Sequence, residues 1–243
     1  IQKNGFERMR NMRRDALFEA CCNLPYRHVE ADGDFAVRYG QNQFGERILY
    51  LFFECSNGKA DWKNNLDFPA KPYRDMGILW FCHRGFLRVW KAIEPYLLEI
   101  VGAEDIRSIV ITGYSHGAAL AMLAHEYCWF HRPDLRCRLC GFGFGCPRCY
   151  FGFFVKPALR VRWEHFYPIR NAEDLVTHMP PRLFGFVHCH PVIQVGEGSV
   201  KSRIDAHRPE YYRARWQELC APASVQSVFW QQYLPTWREL FEA

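Results

Sequence analysis

No apolar run in this chain approaches the roughly 18–20 residues that a helical membrane span requires. The longest, around Ile48–Phe53 and Ala118–Ala124, have the lengths of a core strand and a core helix. No transmembrane segment is therefore expected. An excess of charge of one sign is missing over most of the molecule as well. The formal net charge is +5, but residues 1–14 carry Lys3, Arg8, Arg10, Arg13 and Arg14 against Glu7, a local net of +4 that leaves only +1 for the rest. A nucleic-acid binder would spread its positive charge over a folded face, so no nucleic-acid partner is expected. Internal repeats and low-complexity tracts are missing, and no signal-peptide pattern is visible.

What is present is the material for one large core: 243 residues, 49% hydrophobic and 16% aromatic, read as a single α/β domain over 1–243. Cysteine is plentiful, but its number is odd, Cys21 and Cys22 are adjacent, and most others lie in apolar, strand-like segments. That usage suits reduced, buried thiols and a cytoplasmic rather than a secreted protein. Cys137-Arg-Leu-Cys140 and Cys146-Pro-Arg-Cys149 have the spacing of paired zinc knuckles. The five residues between them, Gly-Phe-Gly-Phe-Gly, read instead as a core strand whose alternation scatters the thiols over both faces. His188-Cys-His190 places two imidazoles on one strand face without an accompanying carboxylate cluster. Neither a metal nor an organic cofactor is expected.

Along the chain, residues 6–22 have helical apolar spacing, and Phe35–Tyr39 alternates like a strand. Ile48–Phe53 is the unbroken apolar run of a strand covered on both faces. The polar segment that follows holds Trp62 and is closed by Pro69 and Pro72, so residues 56–72 read as a lid segment. Strand patterns at 77–82, 108–113, 135–144, 161–169 and 192–195 alternate with helical ones at about 84–100 and 116–131, the first carrying Pro95 where a kink is expected. Such interleaving indicates a mostly parallel sheet with helices on both faces, whose functional loops gather at the carboxyl ends of the strands.

One stretch carries chemistry. Ile109-Val-Ile-Thr-Gly113-Tyr-Ser115-His-Gly117-Ala-Ala-Leu passes from a β-branched run through Gly-x-Ser-x-Gly into small, helix-favouring residues. A serine at such a strand-to-helix turn needs a strained backbone, and flanking glycines keep side chains away where strand and helix nearly touch. The N–H groups of the helix that starts at His116 then face any negative charge developing at Ser115, as acyl transfer requires. The serine needs an imidazole to take its proton and a carboxylate to orient the imidazole, in the order serine, acid, histidine. Asp174, after the strand ending near Ile169 and just before Leu175-Val176, is the candidate acid, with Glu173 as its neighbour. Among His178, His188, His190 and His207, only His207 follows the last strand pattern and precedes a Tyr- and Trp-rich helix.

The ordered motifs then become specific. Phe53-Glu-Cys-Ser56, Asp61-Trp62, His83-Arg-Gly-Phe86, Gly113-Tyr-Ser-His-Gly117, Phe144-Gly-Cys-Pro147-Arg148, Asn171-Ala-Glu-Asp174, Phe184-Gly-Phe-Val-His188 and Asp205-Ala-His207 fall in sequence over roughly residues 48–212. In this the chain resembles the class 3 lipases. The resemblance implies an α/β-hydrolase fold and Ser115, Asp174 and His207 as nucleophile, acid and base. It also implies an oxyanion hole from Ser56 and the backbone N–H of His116, and a lipid ester, acylglycerol or related, as substrate. Trp62, Phe86, Phe144 and Phe184 are then candidate walls for an acyl chain, and transient contact with a lipid surface is expected. Glu54-Cys55 departs from the Arg-Gly that the family carries before its oxyanion donor. Two rival readings share the pattern: an acyltransferase or thioesterase using the same three residues, and a lipase-like interaction protein without turnover.

Overall fold

A computed structural model describes residues 15–42, 44–55, 67–152, 157–196 and 202–221. Among them the elements run α1 (Ala16–Asn23), β1 (Arg27–Val29), β2 (Gly33–Gln41), β3 (Arg47–Phe53), β4 (Ala70–Tyr73), β5 (Trp80–His83) and α2 (Arg84–Gly102). They continue with β6 (Ile106–Tyr114), α3 (His116–His131), β7 (Leu139–Phe144), β8 (Tyr150–Phe151), β9 (Phe166–Asn171), β10 (Phe186–Val187), β11 (Ile193–Val195) and α4 (Pro209–Cys220).

Seven strands form the main sheet in the order β1-β2-β3-β6-β7-β9-β11. From β3 to β11 all pairings are parallel, while β1 and β2 add an antiparallel edge. Strand alternation sorts the apolar side chains into two cores. Leu49, Leu51, Phe53, Ile109 and Ile111 face α2 and α3, while Ile48, Tyr50, Phe52, Val110, Phe142 and Phe144 face α1 and α4. Both faces of the sheet are covered, which is why β3 reads as continuous apolar sequence rather than alternating. The α/β-hydrolase expectation is met by this mostly parallel sheet with helices on both faces.

Helix α3 is buried on every side from His116 to Cys128 because it lies between the sheet, α2 and a second layer. Its small residues let it approach closely. On β7 the positions facing it are glycines: a Cβ on Gly141 would come within 2.5 Å of the Phe166 ring, beside His125 of α3. Glu126, fully buried in α3, accepts hydrogen bonds from Trp80 Nε1 (2.6 Å), Arg162 (2.8 Å) and the Tyr150 hydroxyl (2.9 Å). Burial raises its pKa to about 7 against the pull of these donors.

That second layer departs from the sequence reading. The strand expected at 77–82 lies outside the main sheet, in a four-stranded antiparallel sheet ordered β10-β8-β5-β4. The expected strands 135–144 and 161–169 each begin as a tight helical turn, Pro133–Arg138 and Pro157–Trp163, because only their second halves reach a pairing partner. Helix α2 runs through Pro95 from Arg84 to Gly102. The proposed lid segment is also divided. Residues 56–66 lie outside the described residues, and 67–72 are anchored. Ala70–Pro72 pair with β5, Asp67 forms ion pairs with Arg84 and Arg88, and the N–H groups of Arg84 and Gly85 donate to Pro69 and Asp67 carbonyls.

Buried histidines couple this fold to pH. Desolvation holds His125 down to about 3 and His188 to about 4, from 6.5. The unfolded chain therefore binds protons below about pH 6.5 that the folded chain refuses, and stability falls as pH drops through that range. Glu126 works in the opposite sense between about 4.5 and 7, since the folded chain keeps its proton longer. Replacing one buried imidazole isolates its share: His125→Leu is expected to flatten the decline of the urea midpoint between pH 6.5 and 4.5. An unchanged slope would contradict the assignment.

Candidate active site

Five parallel strands, β3, β6, β7, β9 and β11, end on the same edge of the sheet, and Ser115, Asp174 and His207 sit on the segments that leave β6, β9 and β11. Ser115 lies between β6 and α3 with φ +57° and ψ −120°, a conformation that L-residues avoid. Its N–H donates to the Phe144 carbonyl (2.9 Å), extending the β6–β7 ladder by one bond. The flanking glycines are steric requirements. A Cβ on Gly113 would come 2.1 Å from the Gly117 carbonyl oxygen, and one on Gly117 would come 2.2 Å from that of Phe53. The start of α3 is thus pressed against the ends of β6 and β3.

Asp174 follows β9 through a turn in which Ala172 has φ +44° and the Asp174 N–H donates to Asn171 (3.1 Å). Its carboxylate is fully buried. Oδ1 accepts from the Val176 N–H (2.8 Å), while Oδ2 accepts from the Tyr212 hydroxyl (2.6 Å) and from His207 Nδ1 (2.7 Å). A proton on Nδ1 leaves Nε2 as the acceptor, and Nε2 lies 2.8 Å from Ser115 Oγ. This tautomer is the one a base requires. The His207 side chain is 19% exposed, so it can be reached from solvent while Asp174 cannot.

Three contacts hold the His207 turn in place. Asn171 Nδ2 donates to the Ala206 carbonyl (2.8 Å), the Tyr114 hydroxyl donates to the carbonyl of His207 itself, and the Leu175 N–H donates to Arg203 (3.1 Å). Gly145, just past β7 with φ +59°, lies against the pair: a Cβ there would sit 2.7 Å from His207 Cε1, 3.0 Å from Nδ1 and 3.3 Å from Asp174 Oδ2.

The remaining sequence candidates divide. Backbone and side chain of His116 open α3, with the ring edge-on to Phe86 (centroids 5.3 Å apart). Ser56 and Trp62 lie outside the described residues. Phe144, expected as a wall, is instead fully buried on the α1/α4 face between Phe18 and Trp216, because its strand parity turns it away from Ser115's side of the sheet. Phe86 is likewise enclosed, stacked on His83 at 3.9 Å. Phe184 is half exposed and stacks on Phe68 (5.7 Å). The two cysteine pairs are scattered: Cys137 is exposed, Cys140 joins the α1/α4 core, and Cys146 and Cys149 join the other. No disulfide joins any of the eleven cysteines, and among the described residues no three metal-ligating side chains come together.

Sequence reasoning did not single out Tyr212, Tyr114, Asn171 or Gly145 for the parts they play. Tyr212 is the residue with a visible signal, falling five positions after His207 on a helix already expected there.

A family model for lipase (class 3) matches residues 50–184. Among curated proteins, a lipase of Rhizopus niveus is 27% identical over 152 residues, covering 59% of this chain and 37% of that protein. A secreted mono- and diacylglycerol lipase of Fusarium solani is 29% identical over 140 residues, covering 54% and 39%. The chain therefore spans under two fifths of the length of these relatives. The Fusarium protein's secreted location runs against the cytoplasmic expectation. A solved Rhizomucor miehei lipase propeptide complex superposes with a TM-score of 0.58 at 20% identity, over 76% of this chain and 63% of that one, a likeness of fold.

Two substitutions probe the geometry. Gly145→Ala should displace the imidazole and slow organophosphonate labelling of Ser115 by about 10²-fold, the scale of an ångström's misplacement. Tyr212→Phe removes a donor from a buried carboxylate, and about 1.5–3 kcal/mol of stability should be lost in chemical denaturation. Wild-type labelling in the first or wild-type stability in the second would contradict these contacts.

Proposed function

Because this chain belongs to the class 3 lipases, we propose that it hydrolyses carboxylic esters of lipids, acylglycerols or related molecules, through Ser115, His207 and Asp174. The observation that carries the reading is the unbroken line from Ser115 Oγ to His207 Nε2 (2.8 Å) and from Nδ1 to Asp174 (2.7 Å), behind a serine held at φ +57°. His207 takes the proton of Ser115 as Oγ attacks the ester carbonyl. The tetrahedral oxyanion forms beside the N-terminus of α3, where the His116 N–H and the positive end of the helix dipole oppose its charge. Ser56, three residues past the end of β3, is the second donor in this reading. His207 then protonates the leaving alcohol, the acyl-enzyme forms, and water repeats the sequence with His207 as its base. Asp174 accepts the Nδ1–H hydrogen bond throughout and holds the imidazolium.

Lipid as the substrate class is supported by the names of the relatives, each a lipase, and by apolar side chains left in solvent on the segments that follow β9 and β11 in the chain. Leu183 (88% exposed) and Phe184 (50%) follow Asp174 in the chain, and Ile204 (71%) precedes His207. These are the side chains we assign to transient contact with a lipid surface. No helix among the described residues is long and apolar enough to cross a membrane. A reducing compartment would suit eleven cysteines that form no disulfide.

The test is hydrolysis of p-nitrophenyl esters of graded acyl length by the native chain and by Ser115→Ala. The variant should lose about 10⁶ in kcat and all covalent labelling by an organophosphonate, with medium or long acyl chains preferred by the native protein. Activity surviving Ser115→Ala would refute the assignment.

A further inference from the structure

Two in-plane hydrogen bonds fix the His207 ring at its nitrogens, to Asp174 on one side and Ser115 on the other. Two points define a line, and a flat ring can still rock about it. What stops the rocking must press on a face of the ring.

Tyr114 is placed to do so. It is the last residue of β6 and directly precedes Ser115, and strand alternation sends its side chain to the face opposite Gly113, away from α3 and toward α1 and α4. Its ring lies nearly parallel to the imidazole, 22° between planes with centroids 5.1 Å apart. Its hydroxyl donates to the backbone carbonyl of the same histidine. One side chain therefore holds both the ring and the main chain of residue 207. Tyr114 is itself braced, 4% exposed, with Phe18 of α1 edge-on (5.4 Å, 75°) and Tyr212 of α4 tilted against it (5.7 Å, 60°). Tyr212 also stands at the edge of the imidazole (6.3 Å, 82°) while bonding Asp174.

We propose that Tyr114 is a positioning residue for His207. Its ring is a flat backing that keeps Nε2 directed at Ser115 Oγ, and an electron-rich face for the imidazolium that exists once Nε2 has taken the serine proton. The hydroxyl-to-carbonyl bond ties the 205–207 turn to the strand that delivers the nucleophile, so base and nucleophile share one rigid support. The proposal rests on the reading of Ser115 and His207 as nucleophile and base, and it assigns Tyr114 no contact with substrate.

Two variants of the full chain, Tyr114→Phe and Tyr114→Leu, separate the two contacts. The readouts are kcat and KM on one p-nitrophenyl ester, the thermal midpoint, and the low-field proton resonance of His207 Nδ1–H. Tyr114→Phe keeps the stack and loses the hydroxyl; kcat should fall about fivefold, the scale of one neutral hydrogen bond. Tyr114→Leu loses both and should fall about fiftyfold. KM should hold within about twofold in each, because the acyl site is untouched. The low-field resonance should persist in the Phe variant and broaden or vanish in the Leu variant although Asp174 remains.

A folded Leu variant with wild-type kcat and an unchanged resonance would overturn the proposal. Should Tyr114→Leu fail to fold, Tyr114→Phe decides alone: a fivefold loss in kcat at constant KM supports the tether, and wild-type kcat removes it. If the native chain turns over no ester and Ser115 takes no label, the proposed function fails. Comparison of the resonance between the native chain and Tyr114→Leu would still show whether the ring is held.

Discussion

The close approach of the first turn of α3 to the ends of β3 and β6 governs the rest. Backbone meets backbone there with no room for a Cβ on Gly113 or Gly117. Ser115 is caught between them in a conformation that costs of order 1–3 kcal/mol and persists only because the surroundings over-determine it. They do so through the extended β6–β7 ladder, through the glycines on β7 that let α3 settle onto the sheet, and through a helix buried on all sides. The strain also has a use: it stops the strand at Ser115 and starts the helix one residue later, so that the hydroxyl stands beside a helix N-terminus.

The opposite face of the sheet supplies the other half of the site. Phe18, Tyr114, Phe144, Tyr212 and Trp216 form a continuous aromatic layer between the sheet and helices α1 and α4. Two of its members carry hydroxyls aimed at the site, Tyr212 at Asp174 and Tyr114 at the backbone of His207. Apolar burial and site orientation are therefore served by the same side chains, with the phenol tips satisfied by the polar atoms they position. Phe144 belongs to this layer, which explains why an aromatic beside the motif turned out to be support rather than surface.

The second, antiparallel sheet shares an apolar core with the first and is tied to α3 by a buried carboxylate. Glu126 reaches Trp80 and Tyr150 from the middle of α3 and pairs with Arg162. Isolated charges do not survive in such a place, and here the pairing partner and two neutral donors offset part of the burial, which still holds the pKa up at about 7. The layer in turn fixes β4 and the residues around Asp67 against the N-terminus of α2, which is why the end of the segment expected to move is held.

By itself the sequence determined the local events: the strand, turn and helix around Ser115, the unbroken core strand Ile48–Phe53, the helix 116–131 to the residue, and the loops on which Asp174 and His207 lie. These depend on nearest-neighbour sterics and on hydrophobic period, both written in consecutive residues. Only the tertiary structure decided which side of the sheet each aromatic faces, which strands leave the main sheet for a second one, and which tyrosines reach Asp174 and His207. The reason is geometric. Residues 115, 174 and 207 meet because the parallel strands β6, β9 and β11 that precede them end on one edge. Whether a neighbouring ring braces that meeting point or lies beneath it is set by strand register and helix docking, quantities with no local trace in the chain.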